Sequence, residues 1–262
     1  MNDFLQDNFS LQGKTALVTG GAKGIGAMIT QAFLQAGARV IISSRSSEDC
    51  EAAASEFSAL GECIALPQDL STVANISALA DDIAGLGHGL NILVNNSGRT
   101  WGAPLDDFPE SGWDSVMDLN VKSPFFLVQK CLPLLEKSAS PEDRGRIINI
   151  GSIAGLSNET LMAYSYGPSK AAILHMTGAL ARDLAARNIN VNAIAPGLFD
   201  TRMVSHIKRD EALQKEVLKT IPMGRAGQAE DIGGLAVFLC SRASAFMTGT
   251  IVPVDGGQLV AR

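Results

Sequence analysis

Lys14-Thr15-Ala16-Leu17-Val18-Thr19-Gly20-Gly21-Ala22-Lys23-Gly24-Ile25-Gly26 carries a short apolar run directly into a glycine-rich loop and then into a helix-length segment, Ile25 to Gln35. Glycines tolerate positive φ and leave room for another group to approach the backbone. A helix beginning at such a loop turns its free amides and positive dipole end toward it. Gly20, Gly24, Ile25 and Gly26 therefore read as a cradle for the pyrophosphate of a dinucleotide. Their spacing is looser than G-x-G-x-x-G, so the strand-to-helix context carries the reading, and a glycine-rich turn without a ligand is the plain alternative.

The same alternation repeats outward from this stretch. Apolar runs rich in Val and Ile at Lys14 to Thr19, Arg39 to Ser43, Cys63 to Leu66, Asn91 to Asn95, Arg146 to Ile150, Asn190 to Ala195 and Thr250 to Val254 predict seven strands. Helix-length segments lie between them, including Ile25 to Gln35, Glu48 to Ser58, Ile76 to Ala84, Trp113 to Leu135 and Ser169 to Ala186. Runs such as Ile147-Ile148-Asn149-Ile150 lack an in/out alternation, as expected of strands covered on both faces. The pattern predicts an α/β fold: one Rossmann-type, doubly wound parallel sheet of seven strands with helices on both faces. Ligands gather at the carboxyl ends of such strands, where Gly20, Ser44, Asp69, Asn95, Ser152 and Pro196 fall.

The 262 residues suit one domain, 1–262, and no linker divides them. With 21 basic and 27 acidic residues the net charge is −6, and no basic run is long enough to track phosphates, which argues against a nucleic-acid partner. The polar, acidic start Met1-Asn2-Asp3-Phe4-Leu5-Gln6-Asp7-Asn8 lacks the pattern of a signal peptide, and no apolar stretch is long enough to span a bilayer. A soluble cytoplasmic protein without a membrane partner is expected. Cys50, Cys63, Cys131 and Cys240, like His88, His175 and His206, are dispersed, so neither a disulfide framework nor a metal site is expected.

The end of the second strand bears on coenzyme choice. An Asp or Glu there would bind a ribose hydroxyl, but the sequence reads Ile42-Ser43-Ser44-Arg45-Ser46-Ser47. Arg45 and Lys23 instead bring positive charge, and Ser44 a hydroxyl, to the expected adenosine-ribose end, which favours the 2′-phosphate of NADPH over NADH. The competing reading leaves both cations as solvated surface groups. Asp69-Leu70 after the third strand can contact adenine, or Asp69 can cap the next helix; the residues leave both readings open.

Tyr166-Gly167-Pro168-Ser169-Lys170 carries the candidate chemistry. Residues four apart share a helix face, so the Tyr166 phenol and the Lys170 ammonium can point into one cleft, whereas Tyr164 has no lysine four residues on. A free phenol titrates near 10, and bringing it to neutrality takes roughly 4 kcal/mol. A cation at about 5 Å and an effective dielectric near 20 supplies roughly 3 kcal/mol of this. Lysine is thus expected to make Tyr166 acidic enough to exchange a proton with a carbonyl or alcohol oxygen. Alone, the spacing also arises by chance on exposed helices; Ser152 read alone can be a turn residue, and Asn120 a polar helix residue.

Taken together, the glycine loop, Asn95-Asn96-Ser97-Gly98, Asn120, Ser152, Tyr166, Lys170 and Pro196-Gly197 stand in the order and spacing of the short-chain dehydrogenase/reductase family, which the chain resembles over nearly its whole length. Ser97 departs from the family's usual alanine. The resemblance implies that Tyr166 is the acid or base, that Ser152 holds the substrate oxygen, and that Lys170 binds the nicotinamide ribose and lowers the phenol. It implies that Asn120 supports the proton path, its side chain stabilising a distortion in the helix. It places Asn96 behind the glycine loop, Pro196, Gly197 and Leu198 at the nicotinamide pocket, and Thr201 on the carboxamide. The overall pattern is most similar to 3-ketoacyl reductases, including the rhamnolipid-pathway type, and implies reduction of a small-molecule ketone.

Leu198 to Arg225 mixes Met203, Val204, Ile207, Leu213, Val217, Leu218 and Ile221 with charges, as an amphipathic lid over an elongated apolar substrate would, or as a fixed surface helix would. The resemblance places Arg187 at one docking position for acyl carrier protein, but Pro133 stands where a second cation is expected. This counts against a carrier-protein partner and leaves coenzyme A thioesters and free β-keto esters. A homotetramer is implied, with one interface from the helices at Trp113 to Leu135 and from Tyr166 on, and another from the Val254-Asp255-Gly256-Gly257 tail. A non-catalytic NADPH-binding regulator would not need Ser152, Tyr166 and Lys170 together. An NAD(P)-dependent sugar or polyol dehydrogenase is the enzymatic alternative, and a sugar-nucleotide epimerase would have a larger C-terminal substrate domain.

Overall fold

A computed structural model describes residues 3–158, 162–201 and 211–261. Thr15–Thr19 (β1), Arg39–Ser43 (β2), Cys63–Ala65 (β3), Ile92–Asn95 (β4), Gly145–Ile150 (β5), Ile189–Pro196 (β6) and Ile251–Val254 (β7) form a parallel sheet in the order β3-β2-β1-β4-β5-β6-β7. Each strand end lies within one residue of its expected position. The helices among the described residues are Asp3–Phe9 (α1), Gly24–Gln35 (α2), Ser47–Phe57 (α3), Val73–Gly85 (α4), Glu110–Met117 (α5), Ser123–Ser138 (α6), Tyr166–Leu184 (α7), Glu211–Lys219 (α8) and Ala229–Cys240 (α9).

The sheet divides two apolar cores. On one face Ala16, Val18, Val40 and Ile42 meet Ile29 and Phe33 of α2 and Ile232 and Leu239 of α9. On the other, Leu17, Ile41, Leu93 and Ile147 meet Ile76 and Leu79 of α4, Leu127 of α6 and Leu184 of α7. Successive strand side chains point to opposite faces, and here both faces are covered, which is why apolar residues follow one another along β1, β2 and β4 without alternation. α9 was not among the segments singled out from sequence, since Gly233-Gly234 weakens its helix signal. The same glycine lets α9 approach α2, where a Cβ at Gly233 would lie 2.7 Å from Ala32 Cβ.

The expected continuous helix from Trp113 to Leu135 is instead α5 and α6 joined through a π-helical turn, Asp118–Lys122, with Asn120 buried at its centre. Wound turns of this kind carry an extra residue and recur at functional sites. β6 is buried throughout and holds the edge strand in place through polar side chains. Asn192 donates to the Met247 carbonyl and accepts from the Thr250 amide, and Asn190 donates to the Ala245 carbonyl. Strand order reverses between β1 and β4, so their carboxyl ends part there and open a crevice.

Candidate active site

At that crevice the two halves of the sheet are tied by one threonine. Thr19 Oγ1 donates to the Val94 carbonyl at 3.2 Å and accepts from the Asn96 and Ser97 amides at 3.0 and 2.9 Å. The Asn96 side-chain amide donates to the Thr19 carbonyl at 2.8 Å. Gly20 and Gly24 have φ of +64° and +55°, the left-handed region that a Cβ disfavours. A Cβ at Gly20 would lie 2.8 Å from Asn96 Nδ2, and one at Gly26 would lie 2.1 Å from the Gly20 carbonyl oxygen. The loop is therefore packed from behind and open in front. The Ser97 hydroxyl faces this loop, 3.4 Å from a Cβ placed on Gly20.

In front lies a cleft of about 1620 Å³. It is lined by Gly20, Lys23, Gly24, Ile25, Ser44, Arg45, Asp69, Leu70 and Asn96, and by Ser152, Tyr166, Lys170, Pro196, Gly197, Leu198 and Thr201. Two sequence-predicted residues do not line it. Gly26 sits behind the wall, where its missing side chain lets α2 close on the loop, and Asn120 is buried behind the catalytic group. The fit to a dinucleotide is direct: a glycine wall without side chains, the α2 N-terminus, and the N-terminus of α3 beside exposed Arg45.

Lys23 is not held free for a phosphate: it forms an ion pair with Asp49 in the first turn of α3. Asp49 was missed because the search for an acid stopped at the strand end. Ser46 caps α3 by accepting from the Asp49 amide, and that three-residue capping spacing is the signal that would have placed Asp49 at the cleft. Asp69 does not cap α4; Thr72 does, accepting from the Asn75 amide, while the Asp69 carboxylate accepts from the Ser71 amide.

The catalytic candidates converge from three places: the end of β5, the π turn and α7. Ser152 follows β5, and its Oγ accepts from the Ala154 amide at 3.1 Å. Tyr166 and Lys170 occupy the first turn of α7, with Lys170 Nζ 5.7 Å from the Tyr166 ring centre. Lys170 Nζ donates to the Ile150 carbonyl at 2.8 Å. The Asn120 amide accepts from the Arg99 N–H and donates to the Arg99 carbonyl and to Ser169 Oγ, all at 2.9 Å. A Cβ on Gly98 would come within 3.2 Å of Asn120 Oδ1 and 3.6 Å of Lys170 Nζ, so strand end, π turn and α7 meet at one glycine. Ser169 and Ile150 escaped sequence reading, since a serine and a backbone carbonyl carry no distinguishing pattern.

Electrostatics at this cluster differ from the sequence expectation. Burial pushes the Tyr166 phenol above its ordinary value, and a hydrogen bond with Ser152 only partly opposes this. Lys170 does not bring the phenol below 10 here; burial instead pushes the lysine itself down to about 8. Each charged form loses hydration in the cleft wall, and in the protein alone that loss outweighs their mutual attraction.

Of the expected lid, 202–210 lie outside the described residues, Met203, Val204 and Ile207 among them. The flanking parts do face the cleft, through Leu198, Phe199 and Thr201 on one side and Glu216, Val217 and Thr220 on the other. Arg187, the candidate carrier-docking cation, is engaged by Glu136 at 2.5 Å, and Pro133 lies inside α6. Among the described residues no cluster of His, Cys, Asp and Glu could hold a metal ion, and no helix is long and apolar enough to cross a membrane.

A family model described as enoyl-(acyl carrier protein) reductase matches residues 20–258. The chain is 50% identical over 249 residues to the rhamnolipids biosynthesis 3-oxoacyl-[acyl-carrier-protein] reductase of Pseudomonas aeruginosa, covering 95% of this chain and 97% of that one. It is 41% identical over 263 residues to 2-dehydro-3-deoxy-D-gluconate 5-dehydrogenase of Bacillus subtilis, covering 98% of each. A solved structure of a Pseudomonas aeruginosa RhlG/NADP active-site complex superposes with a TM-score of 0.94 at 49% identity, covering 97% of this chain and 99% of that one.

The lowered Lys170 has a measurable consequence. Its folded value of about 8 lies below the ordinary 10.5, so the folded protein releases this proton first. Below about pH 8 both states hold it; between about pH 8 and pH 10 the unfolded chain binds more protons, and the contribution of Lys170 to stability rises with pH. Urea unfolding across that interval should show the native chain gaining stability relative to Lys170→Met. The comparison removes the buried cysteines, whose raised values act in the opposite direction in both proteins. Parallel stability curves would refute the assignment.

Proposed function

The chain belongs to the short-chain dehydrogenase/reductase family, and from that membership we propose that residues 1–262 act as one catalytic unit reducing a ketone to a secondary alcohol with NADP(H). The observation that carries this reading is that Ser152, Tyr166 and Lys170 line the same cleft as the glycine cradle. When bound, the reduced coenzyme supplies a hydride to the carbonyl carbon. The Ser152 oxygen accepts from the Ala154 amide, and its hydroxyl is hydrogen-bonded to the Tyr166 phenol, so the two hydroxyl groups stand together where one substrate oxygen would be held. Tyr166, raised by burial, is protonated at neutral pH and ready to give that oxygen its proton.

Lys170 keeps its proton at neutral pH with a value of about 8. Its bond to the Ile150 carbonyl uses one N–H and leaves two for the coenzyme ribose and the phenolate that forms as the proton departs. Asn120 acts on geometry, fixing the chain at Arg99 and the start of α7 through Ser169. Arg45, Ser44 and the α3 N-terminus meet the 2′-phosphate, and Thr201, packed 3.3 Å from a Cβ placed on Gly24, closes over the loop.

The substrate class is a 3-oxoacyl thioester or a related hydrophobic β-keto compound. Val217, Leu198 and Phe199 supply an apolar cover, and relatives named as 3-oxoacyl-[acyl-carrier-protein] reductases support the acyl group and are themselves named for a carrier-bound one. Arg187 is tied to Glu136 and Pro133 replaces a cation, so the acyl group, more than a carrier protein, is what the cleft reads. A homotetramer is supported by two separate apolar surfaces: Trp113 and Phe125 on α5 and α6, and Phe246, Ile251 and Val260 around edge strand β7.

Tyr166→Phe should lower kcat by about 10²- to 10⁴-fold while NADPH binding stays within about twofold; retained turnover would refute the assigned acid. Across 3-oxoacyl-coenzyme A, carrier-bound 3-oxoacyl groups, β-keto esters and keto-sugar acids, kcat/KM should be highest on the coenzyme A thioesters or esters. Activity confined to keto-sugar acids would overturn the acyl assignment. Light scattering should give four times the chain mass, and a monomer would exclude the assembly.

A further inference from the structure

The end of β2 carries no acid, yet the structure brings one to the same place from the next helix. Asp49 stands in the first turn of α3 and lines the cleft beside Ser44, Arg45 and Ser46. Its carboxylate pairs with Lys23, the residue that opens α2 from the glycine loop. Lys23 stands at the N-cap of α2, and through Asp49 its ammonium bridges the two segments at the expected adenosine-ribose end of the cleft.

From this placement we infer that Asp49 is a specificity-determining residue of the coenzyme site, one that opposes the 2′-phosphate and holds the preference for NADP(H) below what the neighbouring cations would give. The inference rests on the NADP(H) reading. A carboxylate and a phosphate ester offer a cation the same kind of acceptor, so the incoming phosphate must take Lys23 from Asp49. It then lies close to a fixed negative charge. A ribose 2′-hydroxyl meets neither obstacle, and can donate to the carboxylate.

The exchange is feasible because the pair is wet: the side chains of Lys23 and Asp49 are 37% and 42% exposed. Exposed pairs are worth about 0.2–1 kcal/mol, which corresponds to a change of at most about fivefold in an equilibrium. Asp49 therefore attenuates the preference without reversing it. Arg45, exposed on the cleft, and the α3 N-terminus, where the Ser46 cap takes only one amide, remain to attract the phosphate.

The test is calorimetric titration of the protein with 2′,5′-ADP and with 5′-AMP, which isolates the adenosine end from turnover. Asp49→Asn, and Asp49→Ser as a second variant suited to the first turn, should each raise the ratio of 2′,5′-ADP to 5′-AMP affinity by about two- to fivefold at low salt. The gain should shrink at high salt, and shrink again when Lys23→Gln is added. An unchanged or lower ratio in folded Asp49→Asn and Asp49→Ser proteins would overturn the inference. Failure of the underlying coenzyme reading has a different signature: the native chain itself would bind 5′-AMP more tightly than 2′,5′-ADP and prefer NADH in turnover.

Discussion

Everything at the carboxyl edge of the sheet depends on how closely the backbone of Gly20 can be approached. α2 comes against the Gly20 carbonyl through Gly26, with 2.1 Å between that oxygen and the Cβ that is absent. Asn96 reaches the same loop from β4 and bonds the Thr19 carbonyl. A side chain at either glycine would move the helix or the asparagine, and with them the end of β4. Because Ser97 and Gly98 continue directly from Asn96, the coenzyme wall and the catalytic cluster share one anchor. The amides of Asn96 and Ser97 meeting Thr19 Oγ1 are the hydrogen bonds that set this anchor.

From Gly98 the constraint passes to Asn120 and Lys170. An ordinary α-helical turn has no spare residue with which to turn a buried amide back onto a neighbouring loop; the π turn at Asp118–Lys122 provides one. Asn120 then satisfies both backbone groups of half-buried Arg99. Lys170 meets the Ile150 carbonyl at the end of β5 and is thereby held beneath the phenol. Its charge is retained at neutral pH only narrowly, since burial has already brought it down to about 8. A dry wall thus favours a neutral, proton-bearing tyrosine and leaves the lysine poised to respond when negative charge forms beside it.

The sheet was legible because burial on both faces leaves a clear trace: β2 and β4 carry apolar residues in succession whatever covers them. Candidate residues were legible where chemistry demands a particular side chain, as with Ser152, Tyr166 and Lys170, which the fold brings to one cleft. What sequence could not give is direction and partnership. Lys23 was read as a cation awaiting phosphate, but its partner Asp49 comes from another element, and only the fold brings them together. The effect of Lys170 on Tyr166 was argued from charge and distance, while desolvation, which depends on the whole surrounding wall, decided the sign. Asp69 resembled a helix cap, yet Thr72 had the better register for one. The helix distortion that the resemblance implied at Asn120 is the π turn, while the polar and apolar residues of Trp113 to Leu135 alone read as one continuous helix.

Substrate choice is carried by parts of the chain that are held differently from the chemistry. The loops beyond Gly98 and Ser152 are tied to one another by the bond from the Ala103 amide to the Met162 carbonyl and by an edge contact between Phe108 and Tyr164. The segment that ends near Arg225 is held by the C-terminal tail: Gln258 donates to Thr220 Oγ1, and the Met223 amide donates to the Gly256 carbonyl. Gly256 adopts φ of +63° and lies against Ile221, where a Cβ would be 2.7 Å from that side chain. The tail is in turn fixed at Asp255, whose carboxylate accepts from the Gly257 and Leu259 amides. The candidate reacting groups thus stand at a strand end and on the inner face of α7, while the outer walls of the cleft hang from loops and a tail. Residues in those walls can change without disturbing Thr19, Asn120 or Lys170. The reaction class is therefore written in a few fixed positions, and the choice of substrate in many replaceable ones.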